Sequence, residues 1–379
     1  VFEMKVPFLD LRVANRNLKK RLLTRVNKVL TSGKILEGNE QKIFEKKFAK
    51  EVKAKYAVGV SSGSSALFLA LKAVGIGPGD EVITTPFTWI ITVNAISSAG
   101  AKPVFVDIDE NLNIDPEKII SAITKKTKAI VPMHVGGKLC NMNKIFKIAK
   151  NYKLKIIEDA AQAFCSSYQN KRAGTYSDAS AFSFNPMKIL HTYGEAGAVI
   201  TNNKKIYNVL LQMRHAGITR KKGSININNC NYISLNHKID TIQASMLIEN
   251  LKRINKIRKK RDEISNHYNK KLKKLIKIQK LRSNEVHGRY LYIGRFKKRN
   301  SLKKFLNSKK IETKVFYSPL ACDAPVYKKK FYKVPKSRKY LKEFLALPMH
   351  EKMNLTQVNF VIKNIKKFYE KKHFKRSFL

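Results

Sequence analysis

From Tyr56 to Thr201 the sequence alternates short apolar runs with helix-length segments, and this alternation limits the possible folds more than any other feature. Runs suited to buried strands lie at Tyr56–Val60, Glu81–Thr84, Pro103–Val106, Ala129–Pro132 and Lys155–Ile157, with two more at Ala179–Phe184 and Ala198–Thr201. Strands separated by helices pair in parallel, and a parallel sheet must be covered on both faces. The predicted fold class is therefore α/β, a mostly parallel sheet between helical layers. Two amphipathic helices, about Ala14–Leu30 and Asn39–Glu51, precede the sheet, and the turn from Gly75 to Asp80 closes one helical return. A long helix is predicted from about Asp240 into a basic segment that leads to a smaller α/β domain.

That basic segment marks a change in composition. The 379 residues include 77 Lys plus Arg against 27 Asp plus Glu, a net charge of +50, and from 251 onward there are 40 basic and 8 acidic residues. The shift divides the chain into a large domain over 1–250, N-terminal helices included, and a small C-terminal domain over 251–379. Nucleic acid or an anionic surface would suit such a charge. The lysines, however, are interleaved with Ile, Leu and Tyr at helical spacing, as in LKRINKIRKKRDE, without a nucleic-acid motif, so no specific nucleic-acid partner is expected.

No membrane span is expected, and the opening VFEMKVPFLDL lacks the basic and apolar regions of a secretory signal. Met4 reads as the natural start, with Val1 to Glu3 an alternative initiation or a scar. Cys140, Cys165, Cys230 and Cys322 are far apart with no CxxC pair, so no metal site is expected, and a reduced cytoplasmic protein is the simplest reading.

Three segments carry the chemistry. SSGSSAL, Ser61 to Leu67, is a small-residue turn between a strand and a helix, where free N–H groups suit a phosphate; the same residues would also serve as a plain helix cap. KLKIIEDAAQA ends a strand in Asp159, at the carboxyl edge where open α/β sheets bind ligands, although Asp159 would equally cap the next helix. FSFNPMK places Lys188 just after a strand in a loop that returns through Gly194 and Gly197, an expected buried amine whose depressed pKa would make it a nucleophile toward aldehydes. An anion turn, the aromatic Trp89 in PFTW, a strand-end acid and a loop lysine, in this order, meet the needs of pyridoxal phosphate chemistry: a phosphate seat, a stacking face, a partner for the ring nitrogen and a Schiff-base amine.

This order, with GDEVITTPFTWIITVNAI, EDAAQA and SFxxxK, resembles the DegT/DnrJ/StrS-type nucleotide-sugar aminotransferases from Pro7 to about Ile254, and more loosely to the C-terminus. The resemblance implies an aspartate-aminotransferase-like large domain, PLP fold type I, with pyridoxal 5'-phosphate as cofactor. It makes Lys188 the catalytic Schiff-base lysine and proton shuttle, Asp159 the partner of the pyridine nitrogen, Gln162 a donor to the ring hydroxyl and Trp89 the stacking residue. Gly63, Ser64 and Ser183 would hold the phosphate. ISLNHKIDTIQAS, Ile233 to Ser245, is similar to the family's segment that crosses a homodimer interface, so that Asn236 would reach the partner subunit's cofactor phosphate.

The implied reaction moves an amino group, with glutamate and 2-oxoglutarate as the donor pair, to the keto group of a nucleotide-linked sugar, giving an amino sugar for polysaccharide, glycan or a small metabolite. Lys238 stands where arginine is usual, Met133 to Lys138 lacks an aromatic often found there, and Asn185 replaces a frequent His or Tyr, which leaves the sugar open. Two alternatives remain at this point. One is the keto-sugar dehydratase branch of the same family, which carries histidine in place of the lysine and is kept in view by His191. The other is a non-enzymatic basic regulatory or nucleic-acid-binding protein on this fold.

Overall fold

The computed structural model describes residues 4–219, 229–328 and 332–370. Val1 to Glu3, on which the expectation of an alternative start falls, lie outside them. Helices α1 (Arg16–Ser32) and α2 (Asn39–Val52) precede β1 (Tyr56–Val60), α3 (Gly63–Ala73), β2 (Glu81–Thr84), α4 (Ile90–Ser98) and β3 (Lys102–Phe105). Then follow α5 (Pro116–Ile119), β4 (Thr127–Ile130), α6 (Met142–Asn151), β5 (Lys155–Asp159), the short β6 (Ser167–Tyr168) and β7 (Lys171–Arg172), β8 (Ala179–Ser183) and β9 (Gly197–Thr201). Helices α7 (Lys204–Met213), α8 (Thr241–Leu251) and α9 (Ile254–Leu272) lead to β10 (Lys277–Ile278), β11 (Glu285–Val286), β12 (Tyr292–Arg295), α10 (Arg299–Ser308), α11 (Pro335–Glu343), β13 (Phe344–Leu347) and α12 (Leu355–Glu370).

Seven strands form the main sheet in the order β1-β9-β8-β5-β4-β2-β3. Strand β9 runs antiparallel to both its neighbours, and the remaining pairings are parallel. The cause is local. Helical crossovers join β1 through β5, whereas β8 reaches β9 through the loop 184–196, which simply turns the chain back. This loop carries Lys188. A smaller antiparallel sheet, β10-β12-β13, lies in the C-terminal part, and Val6 near the N-terminus joins the apolar cluster built around it with Tyr268, Phe296 and Leu302.

Alternate residues of the main strands enter the two helical layers, as the two-residue period of a strand requires. Ile156, Phe182 and Ile200 face one side with Phe44, Phe48 and Phe164, while Ile157, Ala181 and Val199 face the other with Leu67, Ile96 and Leu210. Phe48 is fully buried, with ring centroids of Phe44, Phe164, Phe182 and Phe184 all between 5.0 and 5.7 Å away. Phe48→Ala is expected to cost about 3–5 kcal/mol of stability, measured as a lower denaturant midpoint at unchanged slope.

The predicted long helix from Asp240 is two helices. The break falls at Lys252 and Arg253, where Arg253 N donates to Asn250 O and the buried Asn250 side chain donates to His191 O at 2.8 Å. Helix α8 is thereby tied to the Lys188 loop, while α9 departs to pack on α12.

Candidate active site

Asp159 closes β5 and is buried. Thr92 Oγ1 donates to its Oδ2 at 2.7 Å and the Ala161 amide donates to its Oδ1 at 3.1 Å. Because the Thr92 proton is committed to Asp159, Thr88 Oγ1, 2.8 Å from Thr92 Oγ1, is the donor of that pair. Burial pushes the Asp159 carboxyl above the usual carboxylate range, against the opposing pull of Thr92, the Ala161 amide and the charge of Lys188. An acid placed in this way gains from a cation set beside it.

Its neighbour Glu158 has a different task. It accepts from His134 Nε2 at 2.9 Å, from the Gly174 and Tyr176 amides and from Ser177 Oγ, and so pins the 174–177 turn. His134 Nδ1 accepts from the Cys140 amide, which leaves the imidazole proton on Nε2. Burial acts to raise the Glu158 carboxyl, but its hydrogen bonds, led by that of His134, outweigh burial and hold it below the usual range.

In the SSGSS turn the helix-cap reading is met, and the amides that a phosphate would need stay open. Ser62 caps α3, its Oγ accepting from Ser65 N at 3.0 Å and its carbonyl from Ala66 N at 3.0 Å. The amides of Gly63 and Ser64 are the first-turn groups that an α-helix leaves open. A Cβ on Gly63 would fall 2.7 Å from Ser183 Cβ, and one on Gly197 would fall 2.3 Å from Ser62 O. Only glycine at both positions lets the ends of β8 and β9 close on the turn, bringing Ser183 beside Gly63.

Lys188 lies five residues beyond the last residue of β8, its amide donating to Asn185 O at 2.9 Å and its Nζ 4.5 Å from the centre of the Tyr290 ring. It is half-buried, which corrects the expectation of a buried amine: the loop opens on one side to a cavity of about 650 Å³ that it shares with α9 and the N-terminal segment. His191 Nδ1 is 3.1 Å from Lys188 O, so this histidine braces the lysine's backbone.

Gln162 Oε1 accepts from Gly136 N and its Nε2 donates to Tyr317 Oη, both at 2.8 Å, leaving Nε2 one further N–H. Trp89 immediately precedes α4 and remains 56 % exposed, so its ring has a face to offer. Asn236 is exposed beside the SSGSS turn of its own chain: the carbonyl of the following His237 accepts from Ser61 N at 2.9 Å, and the His237 Nδ1 is 3.0 Å from Ser65 Oγ. The same segment exposes Ile233 and Leu235, 96 % and 70 % accessible.

The structure thus draws together Gly63, Ser183, Asp159, Gln162 and Lys188, with Thr92, Tyr290 and Tyr317 as partners that sequence reasoning missed. Thr92 had a signal, since Thr88 and Thr92 are one helical turn apart and both small and polar. Tyr290 and Tyr317 had none, being brought in from more than a hundred residues away.

These residues fit pyridoxal phosphate: open helix amides beside Ser183 for the phosphate, a buried acid in want of a cation, and an amine whose charge that acid feels. Among the described residues no group of His, Cys, Asp and Glu is placed to hold a metal ion, and no helix is long and apolar enough to cross a membrane.

The profile of the DegT/DnrJ/EryC1/StrS aminotransferase family matches residues 16–366. A Geobacillus stearothermophilus protein named "Pleiotropic regulatory protein" is 36 % identical over 98 % of this chain and all of its own length. The dTDP-3-amino-3,6-dideoxy-alpha-D-galactopyranose transaminase of Aneurinibacillus thermoaerophilus is also 36 % identical, over 96 % of this chain and 99 % of its own. Among solved structures, S. venezuelae DesV in complex with a ketimine intermediate superposes with a TM-score of 0.91 at 32 % identity, covering 97 % of this chain and 99 % of its own.

Proposed function

The chain belongs to the DegT/DnrJ/EryC1/StrS aminotransferase family, and from that premise we propose that it transfers an amino group from glutamate to the keto carbon of a nucleotide-linked hexose, in a cytoplasmic homodimer with shared active sites. It is a pyridoxal-phosphate-dependent sugar aminotransferase of fold type I. The observation that carries the residue assignment is the buried Asp159 carboxylate under the influence of Lys188, at the end of the sheet where Ser183 meets the Gly63 turn.

Pyridoxal phosphate, when bound, supplies an aldehyde for the amine and a ring that takes up an electron pair. In this reading Gly63, Ser64 and Ser183 bind its phosphate, and Trp89 covers one ring face. Gln162, steadied by Gly136 and Tyr317, donates to the ring hydroxyl. Asp159, steadied by Thr92, holds the proton on the ring nitrogen. Lys188 Nζ removes the proton from the donor's α-carbon and returns one during amination of the sugar. Residues 1–250 form the cofactor-binding unit and 251–379 the smaller one. The test is a panel of keto-sugar nucleotides offered with glutamate and scored by product mass. An aminated nucleotide sugar is the expected result, and no product with any member would remove this reading.

A site shared in trans has its own test. Lys188→Ala and Asn236→Ala chains are each expected to be impaired, yet co-expressed chains should recover activity, because a mixed dimer combines intact Lys188 from one chain with intact Asn236 from the other. If Asn236 served its own subunit, every site would carry one lesion. Mixed dimers that form without recovering activity would decide against a shared site.

A further inference from the structure

The cavity beside Lys188 has a wall that the residue assignments above leave unused. Lys188 is the only predicted cofactor residue on its lining, and the opposite wall is the start of α9 with the N-terminal segment. Much of its positive charge is already paired: Arg12 and Lys352 with Asp10 at 2.8 and 3.5 Å, Lys260 with Glu263 at 3.5 Å, and Arg261 with Glu351 at 3.8 Å. Arg253, Lys256 and Lys259 have no acidic partner among the described residues; the Arg253 guanidinium donates to Asn250 Oδ1, at 3.3 Å. Arg253 and Lys256 are spaced i, i+3 and therefore share a face, and the first turn of α9 holds neither an acid nor a side-chain cap.

We propose that Arg253 and Lys256, with Lys259 at the rim, bind the diphosphate of the nucleotide-linked substrate in this cavity and so set the sugar against Lys188. The inference rests on the nucleotide-linked reading above. A diphosphate esterified at both ends carries a charge on each phosphorus, which suits a guanidinium fork next to a point charge. One hexose ring separates it from the carbon to be aminated, so a diphosphate on the α9 wall and a keto carbon at Lys188 belong to one extended ligand. The cavity volume lies within the range of small-molecule sites.

The test uses the holoenzyme and an Arg253→Gln, Lys256→Gln double variant. By calorimetry, wild type is expected to bind at least one of UDP, dTDP and GDP, and the variant about tenfold or more weakly, with KM for the keto-sugar nucleotide rising by a similar factor. The half-reaction with glutamate, followed by the cofactor's absorbance, should keep its rate, which also shows that the variant folds. The charge-keeping exchange Arg253→Lys, Lys256→Arg should restore part of the affinity. Equal diphosphate affinity in wild type and variant would overturn the inference. So would a slowed glutamate half-reaction at unchanged diphosphate affinity, which would give the cavity to the donor's carboxylates. A wild type that reacts with glutamate but binds none of the three diphosphates would instead overturn the nucleotide-linked reading, and this inference with it.

Discussion

Lys188→Ala is expected to leave a folded protein with turnover lower by at least about three decades, because in the proposed assignment one amine both anchors the cofactor and carries the proton. The fold should survive: the side chain is half-buried, and its contact with the Tyr290 ring contributes only about 0.5–2 kcal/mol. Circular dichroism at wild-type amplitude, with no cofactor retained after borohydride reduction, is the expected pair of results. In wild type the same reduction and peptide mapping should place the label on Lys188. The competing buried lysine is Lys138, but both Glu285 carboxylate oxygens lie 2.6–2.7 Å from its Nζ, which commits it to structure. Lys204 and Lys205 are exposed at the start of α7, and the Lys204 amine lies over the Tyr56 and Tyr207 rings. A label on any of these would end the assignment to Lys188.

Strands were legible where burial alone decides them. YAVGV and EVIT are β1 and β2 residue for residue, because both faces are covered and turns bound the runs. The ends of β3 and β4 fell one or two residues from the expected places. There the limits are set by pairing: Thr127 joins the sheet through Glu81, and the register shifts between Glu81 and Val82. Nothing local announces such a partner. The α8–α9 break was hidden for the same reason, since the side chain of Asn250 is taken by His191, 59 residues away. At the candidate site, the lysine, the acid and the small-residue turn each carried a local signature, because each sits at a strand end or a helix start. Their supports did not, because Thr92, Tyr290 and Tyr317 arrive by topology. Nor did the sequence separate Glu158 from Asp159: adjacent acids on a strand face opposite ways, and only the structure tells which one is spent on His134 and the 174–177 turn.

That division of labour makes Asp159→Asn a clean test. Asparagine keeps the size of the side chain and can still accept from Thr92 or the Ala161 amide, so the buried site loses its charge while retaining most of its hydrogen bonding. Burial already acts against ionisation of Asp159, so removing the charge should leave the melting temperature of the cofactor-free protein unchanged or higher. Catalysis should move the other way. A neutral amide cannot balance a protonated ring nitrogen, and loss of an electrostatic partner in a water-poor site is expected to lower turnover by on the order of two decades or more. Glu158→Gln should show the reverse pattern, with its main effect on stability, because that carboxylate is spent on the turn. Near-normal turnover in Asp159→Asn, at full cofactor occupancy, would take the pyridine-nitrogen role away from Asp159.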